Sequence, residues 1–228
     1  MPSQYYEEKL YPLQDGVLSV LEQSGTDFFL TGGTALSRCY YNHRYSDDLD
    51  LFTTSFNEYN AQVEAALDKL ARAGYRWSTE VQFVRTDWFT TCMVCKQDNP
   101  DLKVKLDFVN DTVQQFGELN RTQLFHRVDS VHNILSNKVS AIYRFAGKDI
   151  ADIREIDLRT TIDWHQAIYE AKQKDAGIEP YDVARIIMTT PKEEFEGVNW
   201  VGEPNWSVFF MDICKIAIDI VKGLPSDA

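Results

Sequence analysis

The hydrophobic positions near the start of the chain recur at the spacing of a helix and then give way to shorter apolar runs. The positions with helical spacing are Tyr6, Leu10, Leu13, Val17 and Leu21. They predict an amphipathic helix over residues 3–23. A short apolar strand is predicted at 27–31, and a helix at 34–41 follows it after Gly32 and Gly33. The order is therefore strand, tight glycine turn, helix.

Alternating polar and apolar residues mark the next part of the chain. Residues 48–52 have the pattern of a half-buried strand, and residues 57–73 return to the helical period until Gly74. Three strand-like runs come next, at 75–85, 88–96 and 102–109. A turn-prone stretch at residues 97–101 separates the last two.

After about residue 130 the pattern becomes almost entirely helical. Helices are predicted at 131–145, 149–162, 164–175, 180–188 and 206–222. We therefore predict the α+β class, with a domain over 1–130 built on a mixed sheet with flanking helices and a C-terminal helical bundle over 131–228.

The composition is that of a folded, acidic protein. The chain has 228 residues, 44% of them hydrophobic, with 23 Lys and Arg against 35 Asp and Glu and a net charge of −12. This balance excludes intrinsic disorder and argues against coating nucleic acid through bulk charge, although a local basic patch stays possible. No apolar run approaches the roughly 20 residues of a membrane span, and no signal-peptide pattern is recognised, so we expect a cytoplasmic protein without membrane contact.

The four cysteines are too few and too scattered for a disulfide framework, and we expect free thiols. Cys92 and Cys95 form a C-x-x-C, but they lie in a predicted strand, where a separation of three residues puts them on opposite faces. Core packing is therefore favoured over a metal or redox site.

Carboxylates at the predicted strands are the strongest indication of chemistry. On the strand at 48–52, Asp48 and Asp50 share one face, and on the strand at 102–109, Asp107 lies on the face opposite the apolar residues. Paired carboxylates are the oxygen ligands that Mg²⁺ prefers. Gly32 and Gly33 allow the backbone to approach a ligand such as a triphosphate. Each feature alone has an ordinary explanation, a solvated strand edge or a simple turn, but their order together favours a phosphate-handling metal site.

These motifs resemble a known family. Gly32-Gly33-Thr34, Asp48-x-Asp50 and Asp107 are similar to the nucleotidyltransferase superfamily, and the segments 32–36, 44–52 and 133–152 resemble the AbiEii/AbiGii-type toxin nucleotidyltransferases. The resemblance covers about residues 31–153. It implies a mixed sheet whose acidic residues bind two Mg²⁺ ions, with the helical domain completing the active-site cleft.

The resemblance also implies roles for individual residues. Asp48, Asp50 and Asp107 are the implied metal ligands, and Asp107 or Asp152 takes the proton of the attacking hydroxyl. The implied catalytic set is Asp48, Asp50, Asp107, Lys138 and Asp152, with Asp149 as a weaker candidate than Asp152. The implied nucleotide-binding residues are Gly32, Gly33, Thr34, Arg44, Ser46, Lys138 and Arg144. The implied function is transfer of NMP from an NTP to an acceptor hydroxyl, with the tRNA 3′ end as acceptor and an antitoxin as protein partner.

Two alternatives stay open at this stage. One is a nucleotidyltransferase that acts on a protein or a small molecule, which the acidity of the chain mildly favours. The other is a non-catalytic nucleotide-binding module, against which the retention of both Asp48 and Asp50 argues. The segment 138–159 has five basic and four acidic residues and is the expected place for phosphate to bind, although a helix-surface salt bridge explains part of it as well.

Overall fold

The structure is a computed structural model that describes residues 2–78 and 84–225. The chain divides into two compact units, the first over Met1–Thr112 and Leu119–Asp129, the second over Val113–Glu118 and Ser130–Ala228. Residues 113–118 belong to the second unit, although the sequence placed all of 1–130 in one domain. The reason is local, because the Phe116 amide donates to Asn133 Oδ1 and Ser130 Oγ donates to the Phe116 carbonyl.

The first unit opens with one long helical segment. Helix α1 (Pro2–Tyr5) continues through a π-helical turn (Tyr6–Leu10) into α2 (Tyr11–Glu22), which matches the helix predicted at 3–23. Its apolar face is buried, with Val17 and Leu18 fully inaccessible to solvent. Strand β1 (Phe29–Thr31) and the short helix α3 (Gly32–Thr34) follow, and π-helical residues extend α3 over Ala35–Tyr41.

The first unit is built on a mixed sheet to which β1 belongs. Its further strands are β2 (Leu49–Thr53), β3 (Tyr75–Ser78), β4 (Val84–Arg85), β5 (Phe89–Lys96) and β6 (Asn99–Asn110). The strand order is β1-β2-β6-β5-β3, with β4 paired to β5, and the β2–β6 pair is parallel while the others are antiparallel. A 3₁₀ turn (Phe56–Glu58) and helix α4 (Tyr59–Arg72) connect β2 to β3.

Strands β5 and β6 differ in length from their predictions. Strand β6 begins at Asn99, inside the stretch predicted as a turn, because Asn99 pairs with Lys96 and only the two residues between them make the turn. The run predicted at 75–85 contains β3 and β4, and its residues 79–83 lie outside the described part of the chain.

The second unit is helical. Its helices are α5 (Val131–Ser140), α6 (Gly147–Arg159), α7 (Trp164–Lys174), α8 (Pro180–Thr189), α9 (Lys192–Glu196) and α10 (Trp206–Lys222). Side chains of Ser130, Asp163 and Asn205 cap α5, α7 and α10 by accepting a backbone N–H in the first turn. Trp164, Phe195 and Phe209 are fully buried and form its core.

Two helices of this unit depart from the sequence prediction. The helix predicted at 131–145 ends at Ser140, and the 3₁₀ turn Ile142–Arg144 follows before Phe145 adopts the left-handed conformation with φ +55°, which stops a helix. Helix α9 was not predicted, because five residues are too short for a periodic pattern.

The α+β class is confirmed. No helix in the described ranges is long and apolar enough to cross a bilayer.

Cys92 and Cys95 are both buried, on opposite faces of β5, since Cys92 pairs with the core residue Leu106 and Cys95 with Lys103. All four cysteines are free thiols, as expected. Burial, with a contribution from the charge of Asp107, raises the pKa of Cys92 to about 12.

This pKa predicts selective thiol reactivity. Because the thiolate is the reactive form, Cys92 should resist a disulfide reagent at pH 8, while the exposed Cys214 should react rapidly. Counting modified thiols by mass spectrometry before and after unfolding checks this, and all four should react once the chain is unfolded. Rapid modification of Cys92 in the folded protein would contradict the buried position.

Candidate functional site

A row of four polar residues crosses the sheet of the first unit. The strand register pairs Thr31 with Asp50, Asp50 with Asp107, and Asp107 with Thr91. Adjacent strands lie about 4.8 Å apart, and paired residues point to the same face, so Asp50 and Asp107 are immediate neighbours. The sequence predicted the strand face of each carboxylate. The parallel pairing of β2 with β6 makes Asp50 and Asp107 neighbours on the same face of the sheet.

Asp48 and Asp50 have the alternation that their sequence predicts. Leu49 and Leu51 are fully buried in the core, whereas Asp48 and Asp50 are half-buried and lie on the other face of the chain. Asp47, just before them, is exposed.

The two glycines make room for charged side chains. Gly32 has φ +68°, and a Cβ added there would overlap Asp50 Oδ2. A Cβ at Gly33 would overlap the guanidinium of Arg44. The turn predicted as a phosphate cradle therefore also seats Asp50 and Arg44 closely against the backbone.

Replacement of Gly32 by alanine should impair function more than stability. The left-handed backbone costs an alanine about 1–2 kcal/mol, and the new methyl group also forces the Asp50 carboxylate to move. Gly25→Ala is the matched control, since Gly25 has φ +73° and nothing within 4 Å of the added Cβ. Both variants should lose similar stability in urea denaturation, and Gly32→Ala alone should lose activity. Equal activity in the two variants would contradict the role given to this contact.

Hydrogen bonds hold the segment just before Asp48. Thr34 Oγ1 donates to Ser46 Oγ at 2.9 Å and also contacts the Asp48 carbonyl. Arg44 is buried and donates from Nη1 to the Tyr45 carbonyl at 3.1 Å. Four of the predicted nucleotide-binding residues, Gly33, Thr34, Arg44 and Ser46, thus form one connected group.

The N-terminal helical segment fixes the same loop from the other side, a feature that the sequence did not reveal. Gln14 Nε2 donates to the carbonyls of Ser46 and Asp47 at 3.1 and 3.0 Å, and Tyr6 donates its hydroxyl to Asp47 Oδ1 at 2.7 Å. The Tyr6 ring stacks on Tyr45 with centroids 4.4 Å apart. Burial and the Asp47 hydrogen bond raise the pKa of Tyr6, so this hydroxyl stays a donor at neutral pH.

Lys105 is a further residue of the site that was not predicted from the sequence. Its Nζ donates to Asp107 Oδ2 at 2.6 Å, while Asp107 Oδ1 is buried without a hydrogen-bond partner among the described residues. Burial lowers the pKa of Lys105, but the Asp107 contact and the charges of Asp48 and Asp50 together raise it above its usual value. The signal in the sequence was the period of two, which puts Lys105 and Asp107 on one face.

The donor set of this cluster, Asp48, Asp50 and Asp107, is chemically suited to a hard divalent cation. The buried, unpartnered Asp107 Oδ1 is an oxygen that such an ion would satisfy. Within the described residues, no three Asp, Glu, His or Cys side chains are already arranged around a metal position. The oxygen ligands therefore suit a divalent ion chemically, and one of the three carboxylates, Asp107, is bound by the Lys105 ammonium.

The remaining predicted site residues form a cluster of their own in the second unit. Lys138 is buried, and its Nζ binds Asp149 Oδ1 at 2.8 Å and Asp152 Oδ2 at 2.7 Å. Arg144 is exposed and binds the other Asp149 oxygen at 2.8 Å. The carboxylates of Asp149 and Asp152 on α6 are thus paired with the cations of Lys138 and Arg144. This is a tighter arrangement than the helix-surface salt bridge considered from the sequence.

Two of the three other cations in segment 138–159 also form ion pairs. Arg154 binds Asp212 at 2.5 Å, and Arg159 binds Glu155 on the preceding turn of α6. The local basic excess is therefore largely compensated by ion pairs within this unit.

Comparison with known proteins identifies a family whose model matches most of the chain. Residues 17–200 match the sequence profile described as "Nucleotidyl transferase AbiEii toxin, Type IV TA system". A search of curated proteins finds no match.

Solved structures with the same fold cover nearly all of the chain. JHP933 from Helicobacter pylori has a TM-score of 0.62 at 19% identity, with 94% of this chain and 91% of that chain covered. MenT4, a nucleotidyltransferase toxin from Mycobacterium tuberculosis, has a TM-score of 0.67 at 16% identity, with 93% and 82% covered. At these identities the likeness concerns the fold, and it agrees with the mixed sheet and following helices found here.

Proposed function

The chain belongs to the AbiEii family of nucleotidyltransferase toxins of type IV toxin–antitoxin systems, and from that membership we propose that it transfers NMP from an NTP to an RNA hydroxyl at the 3′ end of tRNA. The enzyme class, the NTP substrate and an antitoxin partner follow from the family, and the resemblance inferred from the motifs is confirmed. The Mg²⁺ requirement and the tRNA acceptor are the proposed parts.

The observation that carries this proposal is the pairing of Asp50 with Asp107 across parallel strands, beside an Asp107 oxygen that is buried and has no partner among the described residues. An unpaired carboxylate oxygen is costly to bury, and a cation offsets that cost. Asp48 lies one residue before β2 begins, so a third carboxylate is available close to the Asp50–Asp107 pair.

Each protein group has a definite task in this scheme. Asp48, Asp50 and Asp107 would hold two Mg²⁺ ions, and such ions stabilise the charge on the transferring phosphoryl group and the leaving pyrophosphate. Gly32 leaves room for the Asp50 carboxylate and Gly33 leaves room for the Arg44 guanidinium, while Thr34 and Ser46 fix the loop before Asp48. The resemblance assigns triphosphate contacts to Lys138 and Arg144, with Asp152 holding the Lys138 ammonium.

The test is transfer of label to RNA. Purified protein is incubated with total tRNA, Mg²⁺ and each α-³²P-labelled NTP in turn, in parallel with Asp48→Asn. Label on tRNA with at least one NTP, lost when Mg²⁺ is chelated and lost in the variant, is the expected result. Removal of the terminal tRNA nucleotides by nuclease should release the label if the 3′ end is the acceptor.

Other outcomes separate the alternatives. Pyrophosphate release with label on a protein or a small molecule, and none on RNA, would show that the protein is a nucleotidyltransferase whose acceptor is not tRNA. Saturable NTP binding without any transfer would overturn catalysis and favour the nucleotide-binding module. Full activity in Asp48→Asn would overturn the assignment of the carboxylates.

A further inference from the structure

We propose that Lys105 is a built-in counterion of the carboxylate cluster, and that a divalent cation binds there only by displacing the Lys105 ammonium from Asp107. This inference rests on the metal site of the proposed function. It adds that the Lys105 ammonium and the divalent ion compete for the Asp107 carboxylate.

The position of Lys105 follows from the strand register. Strands β2 and β6 run parallel, and Leu49 pairs with Leu106 one residue before Asp50 pairs with Asp107. Lys105 lies two residues before Asp107 on the same face of β6, and Asp48 lies in the chain one residue before β2 begins. The ammonium therefore contacts Asp107 directly, and Asp50 and Asp48 are the next carboxylates on and beside the neighbouring strand.

The contact between Lys105 and Asp107 is partly sheltered from solvent. The Asp107 side chain is 12% exposed and that of Lys105 is 32% exposed, and Nζ lies 2.6 Å from Asp107 Oδ2. Three carboxylates without a cation would repel one another, and the ammonium reduces this repulsion at the position where shielding by water is weakest.

The ammonium satisfies only half of the Asp107 carboxylate. Oδ2 accepts from Nζ, whereas Oδ1 is buried and has no partner among residues 2–78 and 84–225. A divalent ion carries twice the charge and binds carboxylate oxygens directly, so it can replace the lysine at a net gain. The lysine must leave, because ion and ammonium repel each other at this distance.

The same strand supplies a matched control. Lys103 lies two residues before Lys105 on the same face of β6, opposite Cys95. It is exposed and makes no ion pair within the described ranges. Substitution of Lys103 or Lys105 removes one positive charge from the same strand, but only Lys105 contacts Asp107.

The experiment is calorimetric titration of Mn²⁺, and separately Mg²⁺, into the full chain without nucleotide. Lys105→Met should bind the ion on the order of tenfold more tightly than the wild type, as expected for removing one competing charge from a partly exposed site. Lys103→Met and Lys105→Arg should stay close to the wild-type affinity. A lysine with a purely structural role would give weaker binding when removed, never tighter binding. Lys105→Gln provides a second, polar replacement in case the methionine variant does not fold.

Unchanged or weaker ion binding in the folded Lys105 variants would overturn the inference. Asp50→Asn, titrated in the wild-type and Lys105→Met backgrounds, separates this failure from failure of the proposed function. If Asp50→Asn weakens Mn²⁺ binding but loss of Lys105 does not strengthen it, only the counterion role is wrong. If Asp50→Asn leaves Mn²⁺ binding unchanged, the metal site itself is wrong, and the inference is wrong with it.

Discussion

Asp50→Asn should lower the rate of nucleotidyl transfer by at least about a thousandfold while the protein stays folded. Asparagine has nearly the shape of aspartate and still fits against Gly32, but it lacks the charge with which Asp50 would hold the proposed Mg²⁺ ion. Removal of one acid from a cluster that contains Asp48 and Asp107 also relieves repulsion, so stability should not fall. Initial rates of label transfer and a thermal melt measure the two effects.

Asp47→Asn is the matched control for this prediction. Asp47 is adjacent to Asp48, is exposed and accepts a hydrogen bond from Tyr6, which an asparagine side-chain oxygen accepts equally well. The two variants therefore lose the same charge within three positions of the chain, and Asp47→Asn should keep most of the activity. Comparable losses in both would mean that the general acidity of the loop matters, and not the carboxylate paired with Asp107.

Lys138→Met should destabilise the protein by about 3–5 kcal/mol, the largest stability effect that we expect from a single substitution. The ammonium of Lys138 binds both Asp149 and Asp152, whose side chains are 1% and 0% exposed. Without it, Asp152 loses this cation, and the ion pair left to Asp149 among the described residues is the one with Arg144. Two buried carboxylates are then left short of positive charge, and an uncompensated buried charge is strongly destabilising. Urea denaturation at pH 7 measures the loss.

The comparison with Arg144 gives this prediction its control. Arg144 binds the same Asp149 carboxylate, but its side chain is 61% exposed, so Arg144→Met should cost no more than about 1 kcal/mol. A small effect of Lys138→Met at pH 7 would show that the buried ion pairs contribute little to folding.

Short-range pattern predicted much of the first unit. The alternation of Asp48, Leu49, Asp50 and Leu51 gave the face of each carboxylate, and the two glycines gave the turn, because both depend only on local backbone geometry. The pairing of Asp50 with Asp107 needed the sheet order, which no local pattern encodes. The sequence therefore identified the residues of the cluster, and the structure supplied their arrangement.

Contacts between distant parts of the chain were beyond sequence reasoning. Gln14 and Tyr6 reach Ser46 and Asp47 across more than thirty residues of chain, and in the sequence they are only part of an amphipathic helix. Lys138 was selected through its motif, but its burial between Asp149 and Asp152 depends on how α5 and α6 pack. A charged residue on a helix has the same pattern whether it faces solvent or a buried partner.

The N-terminal contacts also matter for anyone who prepares shortened forms of this protein. The family match begins at residue 17, whereas Tyr6, Tyr11 and Gln14 all precede it and contact the loop at residues 45–47. A recombinant fragment trimmed to the matched region would retain every motif residue and still lack the supports of the loop before Asp48. Inactivity of such a fragment would therefore reflect lost support of this loop, and the role of the carboxylates would have to be tested in the 228-residue chain.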